Sequence, residues 1–142
     1  MNRNFTALFA AFLLIVATVA HAEAPNLEPG EWQFEHVTSV EGQDMIPPQT
    51  DNVRQCVTRE DVASAENFLE SGENCEVQRL SVTRDQLSYD MVCIEAGMRV
   101  EMQAELNFAG TRMHGEMRAN LDSPMGEMVL LTRLSGERIG DC

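Results

Sequence analysis

From residue 30 onward, apolar and polar side chains alternate along most of the chain. "GEWQFEHVTSV" sets Trp32, Phe34, His36, Thr38 and Val40 on one face and Glu31, Gln33 and Glu35 on the other, the period-two pattern of a half-buried strand. The loop "EGQDMIPPQTDN" follows, in which Pro47 and Pro48 remove two backbone donors and force an extended path. "VRQCV" then reads as a short second strand. Further strands are predicted over Glu76 to Val82, Leu87 to Ile94, Met98 to Phe108, Thr111 to Leu121 and Met128 to Gly136. In the fifth, Met98, Val100, Met102, Ala104, Leu106 and Phe108 point one way while Arg99, Glu101, Gln103, Glu105 and Asn107 point the other.

One segment departs from this period. Thr58, with Asp61 three residues on, has the form of a capping box, and Val62, Ala65, Phe68 and Leu69 make an apolar stripe at helical spacing that ends at Gly72. An α-helix inserted after the second strand is predicted there.

The turns fix which strands meet. A two-residue turn at Ala109-Gly110 pairs Leu106 with Met113, Ala104 with Gly115, Met102 with Met117, Val100 with Ala119 and Met98 with Leu121, so that every partner is apolar or small. Continuing through "DSPMG", Leu121 meets Met128, Ala119 meets Leu130 and Met117 meets Thr132. A sheet of about seven strands with one apolar face cannot stay flat and open in a chain this short. The expected fold is therefore mainly β: a curled antiparallel sheet or small half-barrel with one α-helix inserted.

The N-terminus lies outside that pattern. Arg3, the apolar run "ALFAAFLLIVATVA" and Ala20-His21-Ala22 have the order of a cleaved secretory signal. The run is too short to span a bilayer. This reading makes residues 1–22 a signal peptide and residues 23–142 a single β-rich domain, periplasmic or secreted after cleavage near Ala22, with no membrane span in the mature chain.

Charge narrows the partners. The sequence holds 23 acidic residues against ten basic ones, for a net charge of −13. All the basic residues are arginines, and signal cleavage removes Arg3. Such a surface repels phosphate backbones, so nucleic acid is excluded as a partner. With no lysine, Schiff-base chemistry is excluded too.

Four cysteines in an exported chain suggest two disulfides, for which three connectivities exist. A three-residue turn at Thr83 to Asp85 places Cys75 opposite Cys93, whereas a two-residue turn would put them out of register. That leaves Cys56 with Cys142. In the chain-entropy model the long loop contributes about 4 to 5 kcal/mol and the hairpin loop about 3 kcal/mol.

"PGEW" (Pro29 to Trp32), the loop "DMIPPQT" followed by "CVT", two central cysteines and the ending "SGERIGDC" together resemble a family of small exported bacterial proteins, domain of unknown function 3617. The resemblance implies export, an all-β fold and paired cysteines. It brings no catalytic residues. Relatives tend to carry more methionine in the loop before the first cysteine, where this chain has only Met45.

The remaining chemistry centres on the apolar face. Met98/Met102 and Met113/Met117 form two M-x3-M pairs, a spacing that invites comparison with thioether Cu(I) sites. Along a strand, however, four residues span about 13 Å, so neither pair chelates one ion. Copper is a minor alternative, and no metal or other cofactor is expected. His36 sits beside Trp32 and Phe34, where most histidines are simply buried and hydrogen-bonded; His114 falls on the solvent face. No Ser, His and Asp constellation assembles, and enzymatic activity is not expected.

Two functional classes stand. In one, the curled sheet holds a small apolar or lipid-like ligand against Trp32, Phe34, His36, Met98, Met102, Met113, Met117 and Met128. In the other, the core is filled and the loop at Pro47-Pro48 or an open sheet edge engages another envelope protein.

Overall fold

The computed structural model describes residues 23–69, 72–124 and 126–142. The expected signal segment lies outside the described residues. Seven strands form one antiparallel sheet: β1 (Gly30–Val40), β2 (Gln49–Val57), β3 (Cys75–Val82), β4 (Gln86–Glu95), β5 (Met98–Phe108), β6 (Arg112–Ser123) and β7 (Gly126–Gly140). Their order is β2-β1-β7-β6-β5-β4-β3. The sheet curls but does not close, so β2 and β3 are its two edges. No helix among the described residues is long and apolar enough to cross a membrane.

The alternation in the sequence becomes two faces. Across the inner face, His36, Leu134, Gly115, Leu106, Leu87 and Val82 stand abreast on six adjacent strands. Trp32, Leu87 and Met91 are its most deeply buried large side chains. Burial of this face is the main favourable term in folding.

The β6–β7 register is the predicted one, with Leu121 opposite Met128 and Met117 opposite Thr132. The β5–β6 register is not. Phe108 pairs with Met113, so the turn takes the four residues 109–112, closed by Ala109 N–H donating to the Arg112 carbonyl at 2.9 Å. Gly110 is held elsewhere: its N–H donates to the Asn26 carbonyl at 2.7 Å, and its own carbonyl accepts from Glu28 N–H at 2.9 Å. The leader strand thus opens the turn. Because the slip is by two residues, every side chain keeps its face. Met102 consequently meets Ala119 and Met91 rather than Met117, which pairs with Ala104 and Thr132.

Cys75 does stand opposite Cys93, but by another route. The β3–β4 turn has four residues, with Val82 opposite Leu87, and a bulge between Val77 and Arg79 restores the register. The pairs Cys75–Cys93 and Cys56–Cys142 form the two disulfides.

Among the described residues the predicted α-helix does not form. Two short 3-10 turns, Asp61–Ala63 and Ala65–Phe68, take its place. The capping box forms: Thr58 N–H donates to Asp61 Oδ2 at 2.7 Å, and Asp61 N–H donates to Thr58 Oγ1 at 3.2 Å. Ser64 then breaks the run. Its backbone is extended (φ −145°, ψ 135°) and its hydroxyl accepts from Glu66 N–H at 3.3 Å, starting a second turn. Serine's local bonding competes with the helical ladder, and a segment this short gains little from cooperativity. The stripe still finds the core: Ala65 is buried, and Val62, Phe68 and Leu69 pack against it.

Residues 58–69 leave the β2 edge, and their apolar stripe packs on the inner-face core, so this segment forms a strap over that face. It starts beside Cys56, and Cys75 opens β3 at the other edge. Both of these cysteines are in disulfides.

Candidate functional site

The strap covers only part of the inner face. Between it and the β1, β7 and β6 side of the sheet lies a groove of about 280 Å³. Phe34, Leu106, Met113, Met117, Tyr89 and Leu134 come from the sheet, and Phe68 closes the groove from the strap. Phe68 also packs on Phe108, with ring centroids 5.8 Å apart. Val53, Gln55 and Val57 of β2 form one rim, and Asp61 and Asn67 of the strap sit at the mouth.

One end is shut. Leu27 is buried there, and residues 26–28 hydrogen-bond to Arg84 and Gly110 at the β3–β4 and β5–β6 turns. Toward the opposite end the face remains apolar. Val40, Leu130 and Ala119 stand abreast, then Met128, Leu121 and Val100, and all but Met128 are half-buried. Midway, the hydroxyls of Thr38 and Thr132 bond to each other at 2.9 Å, which satisfies both on an otherwise oily surface.

Of the eight side chains expected to face a ligand, Phe34, His36, Met113 and Met117 line the groove. Trp32 lies behind it, fully buried and stacked on Phe34 with ring centroids 5.8 Å apart. Met102 packs into the core from the covered half of the sheet. Met98 and Met128 sit at the far strand ends and do not line the groove.

The sequence reading missed Asp61, Asn67, Gln55 and Val53. The two β2 residues follow from pairing, since Val53 is opposite Phe34 and Gln55 opposite Trp32. Of the two strap residues, Asp61 was legible only as a cap on Thr58, and Asn67 had no local signal. Asp61 is held below its ordinary value, first by the Thr58 backbone N–H and then by the Thr58 hydroxyl.

The outer face is also bowed, into an open trough of about 1010 Å³ lined by Glu35, Asp90, Glu105, His114, Arg118 and others. Several of its charges are paired: Arg79 with Asp90, Arg133 with Glu116 at 3.7 Å, and Arg118 with the neighbouring Glu41 at 2.6 Å. Exposed pairs of this kind are worth little and mark a solvated surface. The smaller apolar groove is the better candidate despite its size.

A family model described as protein of unknown function (DUF3617) matches residues 27–142. The chain belongs to that family. No curated protein and no solved structure matches it. In this DUF3617 protein two of the stretches that carried the resemblance, PGEW and RIGDC, lie side by side. Glu31 pairs with Gly140 and Trp32 with Arg138, across a register irregularity. Arg138 Nε donates to the Pro29 carbonyl at 2.8 Å, and the Trp32 indole N–H donates to the Glu28 carbonyl at 3.0 Å. They form a clasp at the shut end of the DUF3617 groove rather than part of its lining.

Proposed function

We propose that this protein is an exported, non-catalytic module that holds a small apolar or lipid-like ligand in the groove beneath the strap. The observation that carries the reading is the groove itself: a preformed, mostly apolar space of about 280 Å³, just under the roughly 300 to 1,000 Å³ usual for small-molecule sites. The half-buried apolar rows beyond it extend the contact surface, so a ligand longer than the groove has somewhere to lie. Two disulfides favour an oxidising compartment. A non-catalytic role is favoured by the placement of His36 and His114 on opposite faces, away from any shared constellation.

A second reading, docking to another envelope protein, draws on the β1–β2 connection and β2. Met45 is 97% exposed and Ile46 44%, and every β2 residue but Val57 is exposed along an open edge.

The sole tryptophan supplies the test. Trp32 is sealed from water but stacked on the groove-lining Phe34. Titration with the neutral probe N-phenyl-1-naphthylamine is expected to quench Trp32 emission by energy transfer while the probe brightens. Absence of transfer at saturating probe, together with a clean apo mass for protein taken from the periplasm, overturns the ligand reading.

A further inference from the structure

The polar side chains of the groove come from several elements. Asp61 and Asn67 come from the strap, Gln55 from β2, His36 from β1 and Tyr89 from β4. The groove lining includes no arginine, and the chain has no lysine.

The hydrogen bonds sharpen this. Thr58 donates to Asp61 twice, and both bonds fall on Oδ2, at 2.7 and 2.8 Å. Among the described residues, Oδ1 has no donor. Asn67 spends its amide nitrogen on the Glu60 and Asp61 carbonyls, at 2.8 and 3.3 Å, which leaves its side-chain oxygen as the unused group. The groove thus offers a carboxylate oxygen and an amide oxygen without donors of their own, and although Gln55, His36 and Tyr89 can also donate, its one carboxylate faces no guanidinium in the lining.

Resting on the ligand-binding reading, we infer that the groove selects an amphiphile whose head donates hydrogen bonds and is not anionic, an alcohol or an ammonium, with its apolar body against Phe34, Phe68 and Met117. A carboxylate or phosphate head would meet Asp61 at close range with no guanidinium to offset the repulsion. Neutral and cationic heads instead find acceptors already in place. A charge-assisted bond to Asp61 favours the ammonium over the alcohol.

The test compares decylamine, decanol and decanoate as competitors of N-phenyl-1-naphthylamine at about pH 8, where an alkylamine remains protonated. The amine and the alcohol are expected to displace the probe at concentrations at least about tenfold below those needed for decanoate, the scale of one hydrogen bond to a charged group. Asp61→Asn should erase most of the amine's advantage over the alcohol, and Asn67→Leu should weaken both. Equal or stronger displacement by decanoate overturns the selectivity while leaving the groove as a binding site. Failure of the probe itself to bind removes both.

Discussion

Gly30 is pressed against Arg138. A Cβ at residue 30 would lie 2.5 Å from the Arg138 Nε and 2.4 Å from the Gly140 carbonyl oxygen, and the Gly30 backbone has φ +152°. Gly30→Ala therefore combines a clash with backbone that disfavours a side chain, and it should destabilise the protein by about 2 kcal/mol or more. Urea unfolding followed by Trp32 emission measures this. A loss below about 0.5 kcal/mol, the usual range for a bland surface change, would show that the clasp yields easily.

The disulfides predict a specific map and a specific cost. Unreduced peptide mapping should recover Cys75 joined to Cys93 and Cys56 joined to Cys142. The second pair spans 86 positions, and the Cys56→Ser/Cys142→Ser double variant should lose about 4 to 5 kcal/mol in the chain-entropy account. A Cys56 to Cys75 peptide contradicts the assignment.

Asp61 makes acid stability testable. Its pKa is lowered in the folded protein, first by the Thr58 backbone N–H and then by the Thr58 hydroxyl. A carboxyl with a depressed folded pKa contributes stability that is complete above its unfolded value, about 3.9, and is lost as pH falls through the folded value. The stability gap between wild type and Asp61→Asn should therefore narrow as pH is lowered below about 4. Urea midpoints at a series of pH values decide it; a gap that stays constant rules out the linkage.

Methionines separate the groove from the rest of the inner face. Met117→Glu places a charge in the groove lining and should abolish binding of N-phenyl-1-naphthylamine. It should cost about 1 to 3 kcal/mol of stability, because the side chain is only half-buried. Met98→Glu, at the far end of β5, should leave probe affinity within about twofold of wild type, since Met98 does not line the groove. Equal losses in both variants would place the probe elsewhere.

How much of this was legible in the sequence depended on the period. Because strand side chains alternate with a period of two, face membership could be read residue by residue, and Leu106, Met113, Met117 and Leu134 all stand on the inner face. It survived even the two-residue error at the β5–β6 turn, since an even slip preserves the face. Turn lengths were less legible. Gly110 is bound by Asn26 and Glu28, partners more than eighty positions away, and no local pattern carries that information. The strap was misjudged for a different reason. Its stripe from Val62 to Leu69 correctly marked residues that meet the core, but Ser64 interrupts the backbone between them. The groove's polar mouth was invisible because Asp61 and Asn67 reach it only through the strap's path across the sheet.

That path gives the oxidised cysteines a second consequence. The strap leaves β2 beside Cys56, which is bonded to the terminal Cys142, and is followed by β3, whose first residue Cys75 is bonded to Cys93 of β4. Reduction would release the last residue and the β3 edge together, so both margins of the sheet would fray under the same treatment.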